Sequence, residues 1–298
     1  MPNNNALNVA AWVTLCLIWG STWLFIKIGL EDLPPITFAT ARFLLAVAIL
    51  FVILKLQKIQ IPRSARLWRI FALTGVLQFS INYSTVFWSE VYITSGLAAV
   101  LQSMITVFGL ILAWFYLPDE KITLQKIVAI LIGITGVTVI FADQLKIDNP
   151  MAFAGCVAIV IGAFAAAQSS IIVKAKTSGV HPAALVFCQI ICGLPAIIIY
   201  SFVQEGSPFA HHWSLRAIGS VAYLALIGTI AAFWLYYWIL SRIDSTKAMM
   251  NSLVTPLLAV VIGAFILGER LPLQTYIGGA LIICSVVLIV IRKKRIRN

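Results

Sequence analysis

Residues 99–125 read AVLQSMITVFGLILAWFYLPDEKITLQ, and a related stretch, AMMNSLVTPLLAVVIGAFILGERLPLQ, occupies residues 248–274. Each copy is an apolar run with an amide and a hydroxyl near its start, followed by an acid–base pair, a short turn and a second apolar run. The residues that correspond at an offset of 149 positions are Ala99 with Ala248, Gln102-Ser103 with Asn251-Ser252, Thr106 with Thr255, Glu120-Lys121 with Glu269-Arg270, and Leu124-Gln125 with Leu273-Gln274. This ordered match indicates that the chain arose by duplication.

The composition indicates a membrane protein. Of the 298 residues, 61% are hydrophobic and only 10% are charged, and the mean hydropathy is +1.02. A water-soluble domain carries about 25% charged residues. The apolar runs are continuous and do not alternate with polar residues, which excludes a transmembrane β-barrel. At about 20 apolar residues per span, the length predicts an all-α integral membrane protein of ten helices with no soluble domain.

The apolar runs are separated by short turns that contain proline, glycine and acidic residues. The predicted spans are 9–28, 36–54, 68–88, 95–116, 125–142, 152–173, 182–203, 215–238, 246–267 and 274–291. Each half of the chain therefore holds five spans, the first half being residues 1–146 and the second residues 147–298.

Lysine and arginine residues are concentrated in alternate loops. Sixteen of the 21 lie in the loops after spans 2, 4, 6 and 8 and in the C-terminal tail, whereas Lys27, Lys146, Arg216 and Arg270 lie on the other side. Loops rich in these residues stay in the cytoplasm, so both termini are predicted to be cytoplasmic. The net charge of +11 then reflects topology and contact with membrane lipid, and no nucleic-acid partner is expected.

The odd number of spans in each half has a topological consequence, because the second copy must enter the membrane from the opposite face. The duplication is therefore predicted to be inverted. Lys27 and Pro35 correspond to Lys174 and Pro182 at an offset of 147 positions, at opposite ends of the bundle. Inverted repeats of this kind are a recurring architecture of secondary transporters, in which the two halves rock to give alternating access.

Several short motifs resemble a known family. Residues 19–21 read Trp-Gly-Ser in span 1, Pro35 and Arg42 are seven apart at the start of span 2, and spans 4 and 9 end in Leu-x-x-Glu and Leu-Gly-Glu. With ten spans in two repeats, the chain resembles the EamA-type proteins of the drug/metabolite transporter superfamily. The resemblance implies a bacterial inner-membrane carrier, most often an exporter of amino acids or related metabolites.

The acidic residues bear on proton coupling. All ten lie at a span end or in a loop: Glu31, Asp32, Glu90, Asp119, Glu120, Asp143, Asp148, Glu205, Asp244 and Glu269. Proton-coupled pumps keep an ionisable group at membrane depth. The pattern therefore predicts weak or absent proton coupling, with the depth of Glu90 left open.

Amides and hydroxyls are the polar groups predicted at membrane depth. They are Gln78, Asn82, Gln102, Ser103, Gln168, Ser169, Gln189, Asn251 and Ser252. Such groups bond to another helix or face a wet cavity. We predict that Gln102 and Asn251, one from each repeat, line a cavity near the midplane. We include Gln78, Asn82, Ser103, Gln168 and Ser252 in the same substrate site.

Aromatic side chains complete the predicted site. Span 8 contains a dense run, residues 233–238, which forms either an interfacial belt or a wall of the pocket. From this run we select Trp234 and Tyr237, and we place Trp19 and Trp23 of span 1 opposite them, with Tyr83 of span 3 nearby. Amides suit the charged ends of a zwitterion, and rings suit its side chain.

Two further residues in the spans have predicted roles. Pro256 follows the Asn251/Ser252 pair in span 9 and removes a helix hydrogen bond, so we predict a gating hinge there. Arg42 either extends to the headgroups or pairs with Glu90, or else binds a substrate carboxylate.

The sequence thus predicts a transporter that exports small zwitterionic metabolites, such as aromatic amino acids, by alternating access. Alternatives are a multidrug or other metabolite/H+ antiporter and, from a different class, an integral-membrane enzyme. The enzyme is disfavoured because the acids and histidines are scattered over loops on opposite sides. We expect a monomer without a cofactor or bound metal, whose partners are its substrate and membrane lipid.

Overall fold

A computed structural model describes residues 5–93, 95–147, 149–267 and 272–290 of the chain. All regular secondary structure in these ranges is helical. The helices are α1 (Asn5–Leu30), α2 (Pro35–Leu56), α3 (Ala65–Ser89), α4 (Ser95–Gln102 with Met104–Tyr116), α5 (Leu124–Ile140), α6 (Pro150–Lys176), α7 (Pro182–Glu205), α8 (Leu215–Leu240), α9 (Ser245–Met249 with Asn251–Leu267) and α10 (Leu273–Val290). Glu269, Arg270, Asp148 and the basic tail after residue 290 lie outside the described residues.

Eight of these helices are long and apolar enough to cross a membrane within the described residues. The other two, α5 and α10, are apolar but shorter than that criterion requires. The fold is therefore an all-helical membrane bundle, and the predicted count of ten spans stays a prediction for these two helices.

Proline sets the start of three helices. The first turn of α2 contains Pro35, that of α6 contains Pro150, and that of α7 contains Pro182. Proline is favoured there because its missing N–H would have no partner within the helix and its φ angle is already helical. At α6 the Asn149 side chain adds a cap by accepting a hydrogen bond from the Ala152 N–H at 2.9 Å.

Helices α5 and α10 cross at two glycines. A Cβ atom added to Gly136 would lie 2.7 Å from the Gly278 carbonyl oxygen, and one added to Gly278 would lie 2.4 Å from that of Gly136. Small residues allow this close approach of helix backbones in membranes. The Ser285 hydroxyl donates to the Ala129 carbonyl at 2.6 Å and strengthens the pair. These two helices form a packed unit to one side of the bundle.

Each half of the chain contains a π-helical segment at an equivalent place. One covers Val76–Asn82 within α3, and the other covers Leu226–Ala231 within α8. They begin 150 positions apart, close to the offset of the repeated stretch. A π segment inserts an extra residue into a helix and frequently marks a functional site. The shared irregularity agrees with the predicted duplication.

Candidate functional site

A cavity of about 180 Å³ lies at the centre of the bundle. Helices α1, α2, α3, α4, α6, α8 and α9 contribute its lining. Eight residues that the sequence predicted for the substrate site line it, as does the predicted hinge Pro256: Trp19, Trp23, Gln78, Asn82, Tyr83, Gln102, Asn251 and Ser252. The fold therefore brings most of the predicted positions from both halves of the chain to one cavity.

Two predicted aromatic residues of α8 lie outside this lining. The Trp234 ring packs against His181, with ring centroids 5.3 Å apart, and Tyr237 is buried against neighbouring rings of the same helix. Phe233 and Tyr236 face the cavity instead. The residue before each selected position thus lines this cavity, and substrate contact by Trp234 and Tyr237 stays a prediction.

Ser103 and Gln168 also lie outside the lining. The fully buried Ser103 hydroxyl donates to the Val100 carbonyl at 2.6 Å, at the break between the two parts of α4. The Gln168 amide donates to the Tyr116 hydroxyl at 3.3 Å. Gln168 therefore makes the bond to another helix that was the alternative to cavity lining, whereas Ser103 bonds within its own helix.

One wall of the cavity is aromatic. Trp19 contacts Phe233 and Tyr236, with ring centroids 5.5 Å and 5.4 Å away. The Tyr236 hydroxyl donates to the Ser170 hydroxyl at 2.9 Å, which fixes the ring. Edge-on and tilted arrangements such as these are the favoured geometries of ring pairs. The wall is thus an apolar surface of oriented rings, against which a flat apolar side chain can pack.

Another part of the lining is polar. The Gln102 amide donates to the Asn82 side-chain oxygen at 3.0 Å. Among the described residues, the buried Gln102 Oε1 and Asn251 Nδ2 atoms have no hydrogen-bond partner. A buried polar atom without a partner costs about 1–3 kcal/mol, and a polar ligand would remove this cost. The amides of the two repeats therefore offer one acceptor and one donor to a bound molecule.

Two charged side chains line the same cavity, Arg42 of α2 and Glu90 directly after α3. No ion pair joins them within 4.0 Å. The Glu90 Oε1 atom is buried without a hydrogen-bond partner in the described part of the chain, and burial raises the pKa of this carboxyl to about 7. The sequence places Glu90 at a helix end and does not decide its depth in the membrane. The structure places it in the lining of the central cavity.

The cavity continues toward one end of the bundle. A second cavity of about 640 Å³ shares Trp23, Glu90 and Pro256 with the first. Its lining also includes Lys27 and Glu31, which do not line the first cavity. We call this the open end. It is formed by the loops that the lysine and arginine distribution predicts to be outside the cell.

Ion pairs tie the helices together at the other end, which we call the basic end. The Glu120 carboxylate after α4 lies 2.5 Å from the Lys174 ammonium of α6. It also accepts a hydrogen bond from the Ser245 N–H of α9 at 2.8 Å. A second bridge joins Lys126 of α5 to Asp244 at 2.7 Å. The basic end is therefore held shut by charged contacts between both halves of the chain.

Pro256 lies inside α9 and lines both cavities. Its ring cannot donate the helix hydrogen bond and so permits a bend. We expect Pro256→Ala to lower the maximal transport rate roughly threefold or more, with an unchanged KM, since the polar lining stays in place. Initial transport rates measured over a range of substrate concentrations would check this, and an unchanged maximal rate would rule out a hinge.

Comparison with known proteins identifies the family. The model of the EamA-like transporter family matches the chain twice, at residues 7–142 and 153–291. The chain belongs to this family. It is therefore a multi-pass membrane transporter, and the two matched segments of this EamA-like protein correspond to the halves that carry the repeated stretch.

Individual relatives span the whole protein. An uncharacterized transporter of Archaeoglobus fulgidus is 30% identical over 95% of this chain and 99% of its own length. The uncharacterized inner membrane transporter YedA of Escherichia coli strain K12 is 28% identical over 95% and 90%. The uncharacterized transporter YoaV of Bacillus subtilis is 25% identical over 92% and 93%. These names support transport and give no substrate.

One solved crystal structure is similar to this EamA-like protein in fold. It aligns over 98% of this chain and 99% of its own, with a TM-score of 0.83 and 16% sequence identity. The two chains therefore share one fold over 98% of this chain.

Proposed function

We propose that this EamA-like transporter exports small zwitterionic metabolites, with aromatic amino acids as the preferred class, by alternating access. The observation that carries the proposal is the central cavity, whose lining combines a ring wall of Trp19, Phe233 and Tyr236 with the amides of Gln102 and Asn251. Rings suit an apolar side chain, and neutral amides accept and donate hydrogen bonds to the charged groups of a zwitterion.

The geometry supports one state of an alternating-access cycle. The cavity continues to the open end, while the Glu120–Lys174 pair holds the basic end shut. With both termini in the cytoplasm of the inner membrane, this is the outward-facing state. Two inverted five-helix repeats, residues 1–146 and 147–298, would supply the mirror-image inward-facing state. We propose that a single chain in lipid, without a cofactor, completes the cycle.

Transport is proposed to follow the substrate gradient without strong proton coupling. A second candidate function, metabolite/H+ antiport, is favoured by one observation, the buried Glu90 carboxylate in the cavity lining. A carboxylate that binds substrate and proton in turn could link their movements.

Uptake into liposomes that hold the purified protein tests both candidates. We expect saturable uptake of radiolabelled phenylalanine, tyrosine and tryptophan, faster than that of alanine or serine. With the outside pH held constant, the rates should be the same with and without an imposed pH gradient. Uptake that depends strictly on the gradient would favour the antiporter. No uptake of any amino acid would overturn the proposal.

The Glu90 carboxyl predicts how substrate affinity depends on pH. Its raised pKa of about 7 leaves it ionised, and able to attract an ammonium group, above pH 7, and this attraction is lost as the pH falls through 7. The neighbouring charged groups along the two cavities are Lys27, Glu31 and Arg42. We expect the KM for phenylalanine to rise about tenfold from pH 8 to pH 6, with equal pH on both sides of the membrane.

Variants separate Glu90 from its neighbours in this experiment. Glu90→Gln should give a high KM that is flat across this pH range. Glu31→Gln should keep the wild-type slope, because Glu31 lies further out and lines only the second cavity. A Glu90→Gln protein with the wild-type slope would show that another group titrates.

A further inference from the structure

Arg42 is a buried cation in the lining of the central cavity. It lies on α2 and is only 2% exposed. Within the described residues, the ion pairs join Lys126 to Asp244 and Lys174 to Glu120, so no carboxylate lies within 4.0 Å of Arg42. Arg42 therefore lines the cavity without a countercharge from this part of the chain.

Neutral groups of α8 hold the guanidinium in place. Its Nε atom donates to the Thr229 hydroxyl at 2.7 Å, and Nη2 donates to the Gly228 carbonyl at 3.0 Å. The Thr229 hydroxyl donates in turn to the Leu224 carbonyl at 2.9 Å, so it presents a lone pair to Arg42. Both acceptors belong to the π segment Leu226–Ala231. The π segment thus holds the Arg42 guanidinium group through two hydrogen bonds.

Two further features fix the orientation. The rings of Phe43 and Tyr83 lie 5.4 Å and 5.2 Å from the Arg42 Cζ atom, within the range of cation–π contact. A Cβ atom added to Gly228 would lie 2.8 Å from Thr22 Cγ2 and 3.4 Å from Arg42 Nη2, so glycine leaves room for the side chain. The guanidinium is therefore preorganised on three sides.

The energetics call for an anionic partner. A cation buried in the membrane is costly, even when hydrogen bonds and rings offset part of the cost. Arginine carries five N–H donors in a planar fork that matches a carboxylate, and the two bonds to α8 leave donors for a further acceptor. The two other roles predicted for Arg42 do not fit: the side chain is too buried to extend to the headgroups, and it is not paired with Glu90.

We propose that Arg42 binds the carboxylate of the transported substrate. This rests on the proposed amino-acid function and assigns its acidic group to one residue of the cavity. Thr229 and Gly228 then act as positioning residues for Arg42. The substrate side chain would lie along the nearby Trp19 wall, whose indole N–H donates to the same Gly228 carbonyl at 3.4 Å.

Competition by substrate fragments tests the assignment. The experiment measures how strongly two compounds inhibit the uptake of radiolabelled phenylalanine into liposomes: 3-phenylpropionate, which has only the carboxylate, and phenylalaninamide, which lacks it. We expect Arg42→Gln to weaken inhibition by 3-phenylpropionate at least thirtyfold and that by phenylalaninamide less than threefold. Thr229→Val should shift the same ratio in the same direction, and Arg42→Lys should restore part of it.

Controls keep the outcomes distinct. Arg66→Gln changes an exposed arginine at the start of α3 and should leave both inhibition constants unchanged. Equal weakening of the two inhibitors in Arg42→Gln would overturn the assignment while amino-acid transport stands. If Arg42→Gln does not fold, unequal effects of Thr229→Val on the two inhibitors still support the assignment, and equal effects overturn it. Failure of the wild-type protein to transport phenylalanine would instead overturn the proposed function.

Discussion

Replacing Glu120 with Gln is expected to reduce the rate of net amino-acid uptake at least tenfold. The change keeps the shape of the side chain and removes its charge. Lys174, with a side chain that is 17% exposed, then loses its ionic partner at 2.5 Å. Removal of one member of a largely buried pair costs about 3–5 kcal/mol. Because the pair exists in the state that is closed at the basic end, this cost falls on that state.

Hydrogen exchange at the basic end reports the change directly. The Ser245 N–H donates to the Glu120 carboxylate, so its exchange should accelerate in Glu120→Gln as the basic end opens. Lys121→Gln removes an exposed charge next to Glu120 and should leave both exchange and uptake unchanged. Normal uptake together with unchanged Ser245 exchange in Glu120→Gln would show that the ion pair does not control access.

Replacing Trp19 with Ala is expected to weaken binding of phenylalanine at least thirtyfold, equal to about 2 kcal/mol. Trp19 forms the centre of the ring wall, in contact with Phe233 and Tyr236, and its loss removes both the stacking surface and the support of the two neighbours. Alanine as a substrate has no ring to stack, so its KM should change less than threefold.

Trp114 provides the matched control. It is 59% exposed on the outer surface of the bundle, and Trp114→Ala should leave the KM for phenylalanine unchanged. Transport assays with both substrates on the two variants measure the selectivity. Equal loss of phenylalanine and alanine transport in Trp19→Ala would indicate damage to the fold, and no loss would show that the wall does not bind substrate.

Much of the fold and several residues of the cavity lining could be predicted from the sequence. Membrane spans follow from composition, because a segment that crosses the hydrocarbon core must be predominantly apolar and must bond its backbone polar groups within its own helix. Gln102 and Asn251 were identified because the duplication places them at equivalent positions in the two halves, and both line the cavity. Patterns that extend over a whole helix, or that repeat, thus carry strong signals.

Features that depend on local helix geometry could not be predicted. Phe233 and Tyr236, which follow the π segment in α8, line the cavity, whereas Trp234 and Tyr237 do not. Glu90 enters the site because the cavity reaches the end of α3, a property of packing between helices. Arg42 had three possible roles until its neighbours were known. Residue type and spacing do not encode the phase of an irregular helix or the shape of the space between helices.

Counterflow of phenylalanine tests the central claim most directly. Liposomes that hold the protein are loaded with unlabelled phenylalanine and diluted into a trace of the labelled form, with equal pH on both sides. An alternating-access carrier of amino acids predicts a transient accumulation of label inside, above its final level, that empty liposomes and liposomes loaded with glucose do not show. Label that rises to the same level whatever the load, or that does not enter, would contradict the account.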